Sequence, residues 1–236
     1  MFNRDALEYL SEQGQPEIIE VNGQQYATHQ LYEVVEPTPE PLVVRNLSGL
    51  IDYLKSEFDK QAPLLVHVVS PTQVTVVSSY NNDYARKEII KAEALLPEYR
   101  FGSYYEAEDF IIKLQSGFVA NEDRAKLLKV VGNVKEENVR SIGDDGVSQS
   151  VTAKTGVATV EDVKVPNPVL LAPYRTFVEV IQPESAFVFR MKNGPLAALF
   201  EADGGAWRNA AIDAVATYLV EKLSELIETG QIVVIA

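Results

Sequence analysis

The sequence predicts an α+β protein in which antiparallel β-meanders pack against helices and a long C-terminal helix covers a three-stranded C-terminal meander. Three observations carry this. Strand-like runs at 175–181, 186–192 and 196–200 are separated by the turn sequences Gln182-Pro-Glu-Ser185 and Asn193-Gly194. From about 203 to 228, Trp207, Ala211, Val215, Tyr218, Leu219, Leu223 and Ile227 recur at helical spacing. Runs at 64–69 and 74–79, joined at Ser70-Pro71, form a second strand pair.

The remaining elements follow in order. Asn3 caps a short helix to about Gln13, which Gly14 and Pro16 end. Asn22-Gly23 turns a hairpin between 17–21 and 24–28. Glu36-Pro-Thr-Pro-Glu-Pro41 is a stiff linker. It separates an N-terminal part, 1–41, from an α+β body, 42–236, with a further sub-boundary near 134–165. Asn46 or Ser48 opens a helix whose buried stripe is Leu47, Leu50, Ile51, Leu54 and Phe58. Residues 87–95 read as a third strand or as helix. Residues 105–115 and 122–131 read as helices stopped by Gly117 and Gly132. Gly143-Asp-Asp-Gly146 is a turn, 147–160 an irregular strand or β-arm, and 231–235 a short closing strand.

Composition narrows the function. The chain has 236 residues, 46% apolar and 23% charged, which suits a globular protein that needs no disulfide or metal to fold. With no Cys, thiolate zinc sites, iron–sulfur clusters and Cys nucleophiles are excluded. The two histidines, His29 and His67, cannot build a His-rich metal site, and His67 is expected as a hydrogen-bonded core residue. A net charge of −13 opposes general nucleic-acid binding, because phosphate contacts supply most of that affinity. No apolar run approaches the roughly 20 residues of a membrane helix. Met1-Phe-Asn-Arg-Asp has no signal-peptide core, so a cytoplasmic, membrane-free protein is expected. Phosphate-loop, dinucleotide-binding, nucleophile-elbow and zinc-protease motifs are all missing. Asp144-Asp145 has no further carboxylate at calcium-loop spacing. The expectation is a non-enzyme with no cofactor.

One constellation has a geometry. A four-residue loop at 182–185 and a two-residue loop at 193–194 pair Arg175 with Lys192, Phe177 with Arg190, and Arg190 with Ala197. One face then collects Thr176, Val178, Val180, Phe187, Phe189, Met191, Leu196, Ala198 and Phe200 as core. The other collects Arg175, Arg190 and Lys192 around Phe177, with Glu179, Val188, Ala197 and Leu199. Like charges opposite one another disfavour pairing unless an anion or an acidic surface compensates. The plainer reading is a solvated face with Glu179 bridging to a cation. Asp203-Gly-Gly205 ahead of a helix is either an anion site, with Trp207 and Arg208 one turn in, or simple capping by Asp203. The candidate ligand-binding residues are therefore Arg175, Phe177, Arg190, Lys192, Trp207 and Arg208.

The stretch Val165-Pro-Asn-Pro-Val-Leu-Leu-Ala-Pro-Tyr-Arg-Thr-Phe-Val-Glu-Val-Ile-Gln-Pro-Glu-Ser185 is similar to phage and prophage proteins of unknown function from Gram-positive bacteria. So are Ala186-Phe-Val-Phe-Arg-Met-Lys-Asn-Gly194 and Ala198-Leu-Phe-Glu-Ala-Asp-Gly-Gly-Ala-Trp207. They distantly resemble the YfdQ-like prophage family. The resemblance implies a phage origin, a cytoplasmic role during infection and a gene neighbourhood of recombination and replication functions. It brings no activity and no functional residue.

Three functions are consistent with these readings. The first is a self-associating, non-catalytic binding protein that sequesters a small anionic ligand such as a host nucleotide immune signal. The second is an accessory of phage recombination or replication that binds single-stranded DNA or a protein. The third is a purely structural homo-oligomer.

Overall fold

Short β-branched runs interrupted by turns cannot each bury their own apolar face, so they gather into sheets that need a covering layer. The structure, a computed structural model, describes residues 17–22, 24–27, 39–59, 63–81, 84–133, 139–144, 149–154, 160–164, 167–192 and 196–236, with isolated positions before residue 17. Apart from Arg4 and Tyr9, both helical, the expected helix at 3–13 lies outside the described residues, as do His29 and the Asn193-Gly194 turn. The chain divides into two units, 1–39 and 40–236. In the first, β1 (Ile18–Val21) and β2 (Gln24–Ala27) form the expected hairpin, with Val21 opposite Gln24 and Asn22 at φ 54°.

The second unit is α+β, the class the sequence predicts. A five-stranded sheet is built from β3 (Leu42–Val44), β4 (Leu64–Ser70), β5 (Gln73–Ser78), β6 (Glu88–Glu93) and β14 (Ile232–Ile235). Its order is β14-β4-β5-β6-β3. The two edge strands run parallel to their neighbours and the inner pairs are antiparallel. Residues 87–95, open between helix and strand in sequence, are thus a strand. Alternation puts Val66, Val68, Val74, Val76, Ile90 and Ala92 on one face, all buried. His67 falls on the other face and is half-buried, so it is not the core residue expected.

Helix α1 (Leu47–Ser56) covers the buried face with Leu47, Leu50, Ile51 and Leu54. Asn46 is its N-cap, accepting from the Gly49 N–H at 2.9 Å. The helix ends at Ser56, two residues before Phe58, with Glu57 left-handed at φ 50°. Phe58 is therefore 83% exposed and does not join the stripe.

A second, four-stranded sheet has the order β11 (Val169–Leu171), β12 (Ser185–Lys192), β13 (Leu196–Glu201), β7 (Tyr105–Glu106). Its core face is covered by α2 (Ala107–Gly117) and α3 (Glu122–Asn133), through Phe110, Leu114, Leu127, Val130 and Val131. Three further strands, β8 (Val139–Asp144), β9 (Gln149–Lys154) and β10 (Val160–Lys164), form an antiparallel sheet over the expected β-arm.

The C-terminal helix differs from expectation in extent and in partner. It is α4 (Trp207–Lys222), broken at Leu223 and resumed as α5 (Ser224–Glu228). Its buried residues Val215 and Leu219, with Leu223, belong to the core of the five-stranded sheet. The meander it was expected to cover is occupied by α2 and α3 instead. Among the described residues, no helix is long and apolar enough to cross a membrane.

Residues 175–181 are not a strand; β11 takes their place beside β12. The cause is Gln182, which is buried. Its Oε1 accepts from the N–H groups of Arg175 (3.0 Å) and Thr176 (3.3 Å), and its Nε2 donates to the carbonyls of Phe177 (2.9 Å) and Val180 (3.1 Å). One side-chain amide thus takes over the pairing that a ladder would supply. The loop turns Phe177 and Val180 into the core of the five-stranded sheet.

Candidate functional site

The six residues nominated from sequence fall in three places. Phe177, 1% exposed, is a core residue of the five-stranded sheet and is not available to a ligand. Arg175, Trp207 and Arg208 meet at one end of the four-stranded sheet. Arg190 and Lys192 lie together on that sheet's other face. The expected pairing of Arg175 with Lys192 does not form.

Lys192 pairs with Leu196, Arg190 with Ala198 and Val188 with Phe200. Three residues therefore connect β12 to β13, where a two-residue turn was expected. Pro195 gives the reason: a two-residue loop needs an N–H at that position to close the first pair, and proline has none. The one-residue slip moves every β13 side chain to the opposite face. Ala197 and Leu199 join the core with Phe187, Phe189 and Met191. Phe200, Ala198 and Leu196 join Arg190 and Lys192.

The Arg175 cluster is internally neutralised. Its Nη1 donates to Glu201 Oε1 at 2.8 Å and its Nη2 donates to Ser185 Oγ. The guanidinium lies 3.9 Å from the Trp207 ring centroid and 5.4 Å from that of Phe187. Trp207 Nε1 donates to the same Glu201 Oε1 at 3.1 Å. Burial pushes the Arg175 pKa down to about 10 while Glu201 pulls it back, so the group stays charged at neutral pH. Arg208 packs on the ring at 4.9 Å. Gly205 makes this approach possible: its φ is +84°, and a Cβ there would lie 2.2 Å from Arg208 Nη1. Asp203 accepts from the Gly205 N–H at 3.0 Å and the Trp207 N–H at 3.2 Å. Its carboxylate occupies the helix terminus where an anion was considered, which is the simple capping alternative.

The Arg190–Lys192 face is different. Side chains two apart on a strand stand about 7 Å from one another on the same side. Lys192 Nζ lies 4.0 Å from the ring centroid of Tyr104, which is edge-on to Phe200 at 6.1 Å. Arg190 Nη1 donates to the Phe189 carbonyl at 3.0 Å. Among the described residues, neither cation has a carboxylate partner. Two positive groups and two aromatic rings thus share a face, suited to an anion that carries a planar ring. Sequence reasoning missed Tyr104, which no periodicity connects to β12, and placed Phe200 in the core; the missing N–H of Pro195 was the available signal. No family model, curated protein or solved structure matches the chain.

Proposed function

We propose that this chain is a non-catalytic cytoplasmic binding protein that self-associates and takes a small anionic ligand on the Arg190–Lys192 face. The observation that carries the reading is the absence of a carboxylate partner for these two cations among the described residues of an acidic chain, beside the Tyr104 and Phe200 rings. The phosphates of a nucleotide would pair with the cations and its base would meet the rings. The resemblance of 165–207 to phage proteins is the ground for taking a host nucleotide signal as the ligand. Self-association is supported by apolar side chains left in solvent, Ile181 at 86% and Val178 at 67% exposed among them.

The test is a panel of cyclic and ADP-ribose-type nucleotides, with a single-stranded oligonucleotide alongside, read by thermal shift and calorimetry. A nucleotide should bind, weaken as salt rises, and lose at least about tenfold in affinity in R190A/K192A. Absence of binding by every nucleotide, or binding unchanged in that variant, would overturn the ligand assignment. Preference for the oligonucleotide would favour the nucleic-acid accessory instead. Light scattering that reports a monomer at all concentrations would remove the self-association.

A further inference from the structure

A separate cavity opens between the end of α1, strand β4 and the α5–β14 segment, with a volume of about 270 Å³. That is near the lower limit of small-molecule sites, about 300 Å³. Its walls are apolar, formed by Leu54, Leu64, Leu226 and Ile232. The residues that follow α1 make its rim. Glu57, Phe58 and Asp59 all line the cavity and are all solvent-exposed. Tyr53 lies inside and donates its hydroxyl to Asp59 Oδ2 at 2.6 Å. That bond fixes the carboxylate at the opening, and burial together with Asp59 pushes the Tyr53 pKa up to about 12.

The charges are of one sign. Among the described lining residues the ionic ones are Glu57 and Asp59, both acidic. An anion would meet repulsion there, whereas a cation would meet a carboxylate already oriented by Tyr53. The Phe58 ring, 83% exposed beside an apolar opening, loses its contact with water only if something covers it. Glu57 holds this rim in a left-handed backbone conformation, φ 50°, that residues with a Cβ adopt at a cost.

We propose that this cavity is a second ligand site, for a small amphiphilic cation: a compact apolar body that enters between Leu54, Leu226 and Ile232, with an ammonium group held at the Asp59 carboxylate. It is independent of the anion site and of opposite charge preference.

The test uses three probes of one shape: 4-phenylbutylamine, 4-phenylbutanol and 4-phenylbutyrate, titrated into the full chain by calorimetry at neutral pH. Methyl NMR locates the site through Leu54, Leu226 and Ile232. The amine should bind most tightly, the alcohol less, and the carboxylate about tenfold or more below the amine. D59N should bring the amine within about threefold of the alcohol. L226W, which fills the cavity, should abolish all three. Equal binding of the three probes to the wild-type chain, no binding at millimolar concentration, or methyl shifts outside the cavity would each overturn the proposal, and none depends on a variant folding. Failure of the anion panel leaves this outcome unaffected.

Discussion

Glu179 accepts a hydrogen bond from the backbone N–H of Leu47 at 2.8 Å, across 132 residues of sequence, and a second from Ser48 at 3.2 Å. A loop beside the second sheet thereby caps the helix that covers the first. The two N–H groups are among the orphan donors of the α1 N-terminus, and a carboxylate there also favours the helix dipole. Asn46 caps the third position, so the end of α1 is satisfied jointly by a local and a remote side chain.

Removing the remote cap should cost stability without changing the fold. E179A is expected to lose about 1–2 kcal/mol in urea denaturation, and E179Q, which keeps an acceptor, about half of that. If E179A leaves the denaturation midpoint unchanged, the loop is not holding the helix.

The Arg175–Glu201 pair should be costly to break. R175A is expected to destabilise by about 2 kcal/mol, below the roughly 3–5 kcal/mol of a fully buried pair because the Glu201 side chain is 34% exposed. Trp207 is the chain's one tryptophan, so its emission reports the same contact. Loss of the guanidinium from its face should shift emission to the red. An unchanged spectrum in R175A would show that the stack is not formed in solution.

Asp123 supplies a pH dependence. Burial raises its pKa, but the Leu170 N–H and Lys126 outweigh that, and the net direction is down. It accepts from Leu170 N at 2.9 Å and pairs with Lys126 at 2.9 Å, tying α3 to β11. A carboxyl whose folded pKa lies below its unfolded value binds fewer protons when folded. Its stabilisation is complete above the unfolded pKa and is lost as pH falls through the folded one. D123N should therefore be less stable than wild type at pH 7, by about 1 kcal/mol, with the gap closing below about pH 4. A gap of constant size from pH 7 to 3 would contradict this.

The Tyr99 hydroxyl is buried with no hydrogen-bond partner among the described residues, within a cluster whose rings include Phe118 at 5.1 Å and Phe101 at 4.9 Å. Burial also pushes its pKa up. An unpaired buried hydroxyl costs about 1–3 kcal/mol, so Y99F should raise stability by about 1 kcal/mol in thermal or urea denaturation. Destabilisation by Y99F would mean that the hydroxyl has a partner after all.

Local chemistry made much of this fold legible. Asn22-Gly23, Asn46 and the 3.6-residue spacing of Leu47, Leu50, Ile51 and Leu54 encode their own conformations within a few residues. The same holds for the alternating strands β4 and β5 and for the α+β class. The candidate site was half legible. Arg190 and Lys192 share a face because a period of two decides it within one strand. Their companions were not, because which ring stands opposite depends on register, and register depends on a single connecting residue.

The sequence alone determined the α+β class, the 18–27 hairpin, the strands β4, β5, β12 and β13, where α1 begins, and that an acidic, cysteine-free chain carries several cations in its C-terminal third. The tertiary structure decided that 175–181 folds as a loop, that α4 lies on the first sheet, and that Arg175 is neutralised by Glu201 while, among the described residues, Arg190 and Lys192 meet no carboxylate. The division has a physical cause. Caps, turns and periodicities are free-energy terms between near neighbours, whereas Gln182, Glu179 and Glu201 act through hydrogen bonds to groups that only packing brings within reach.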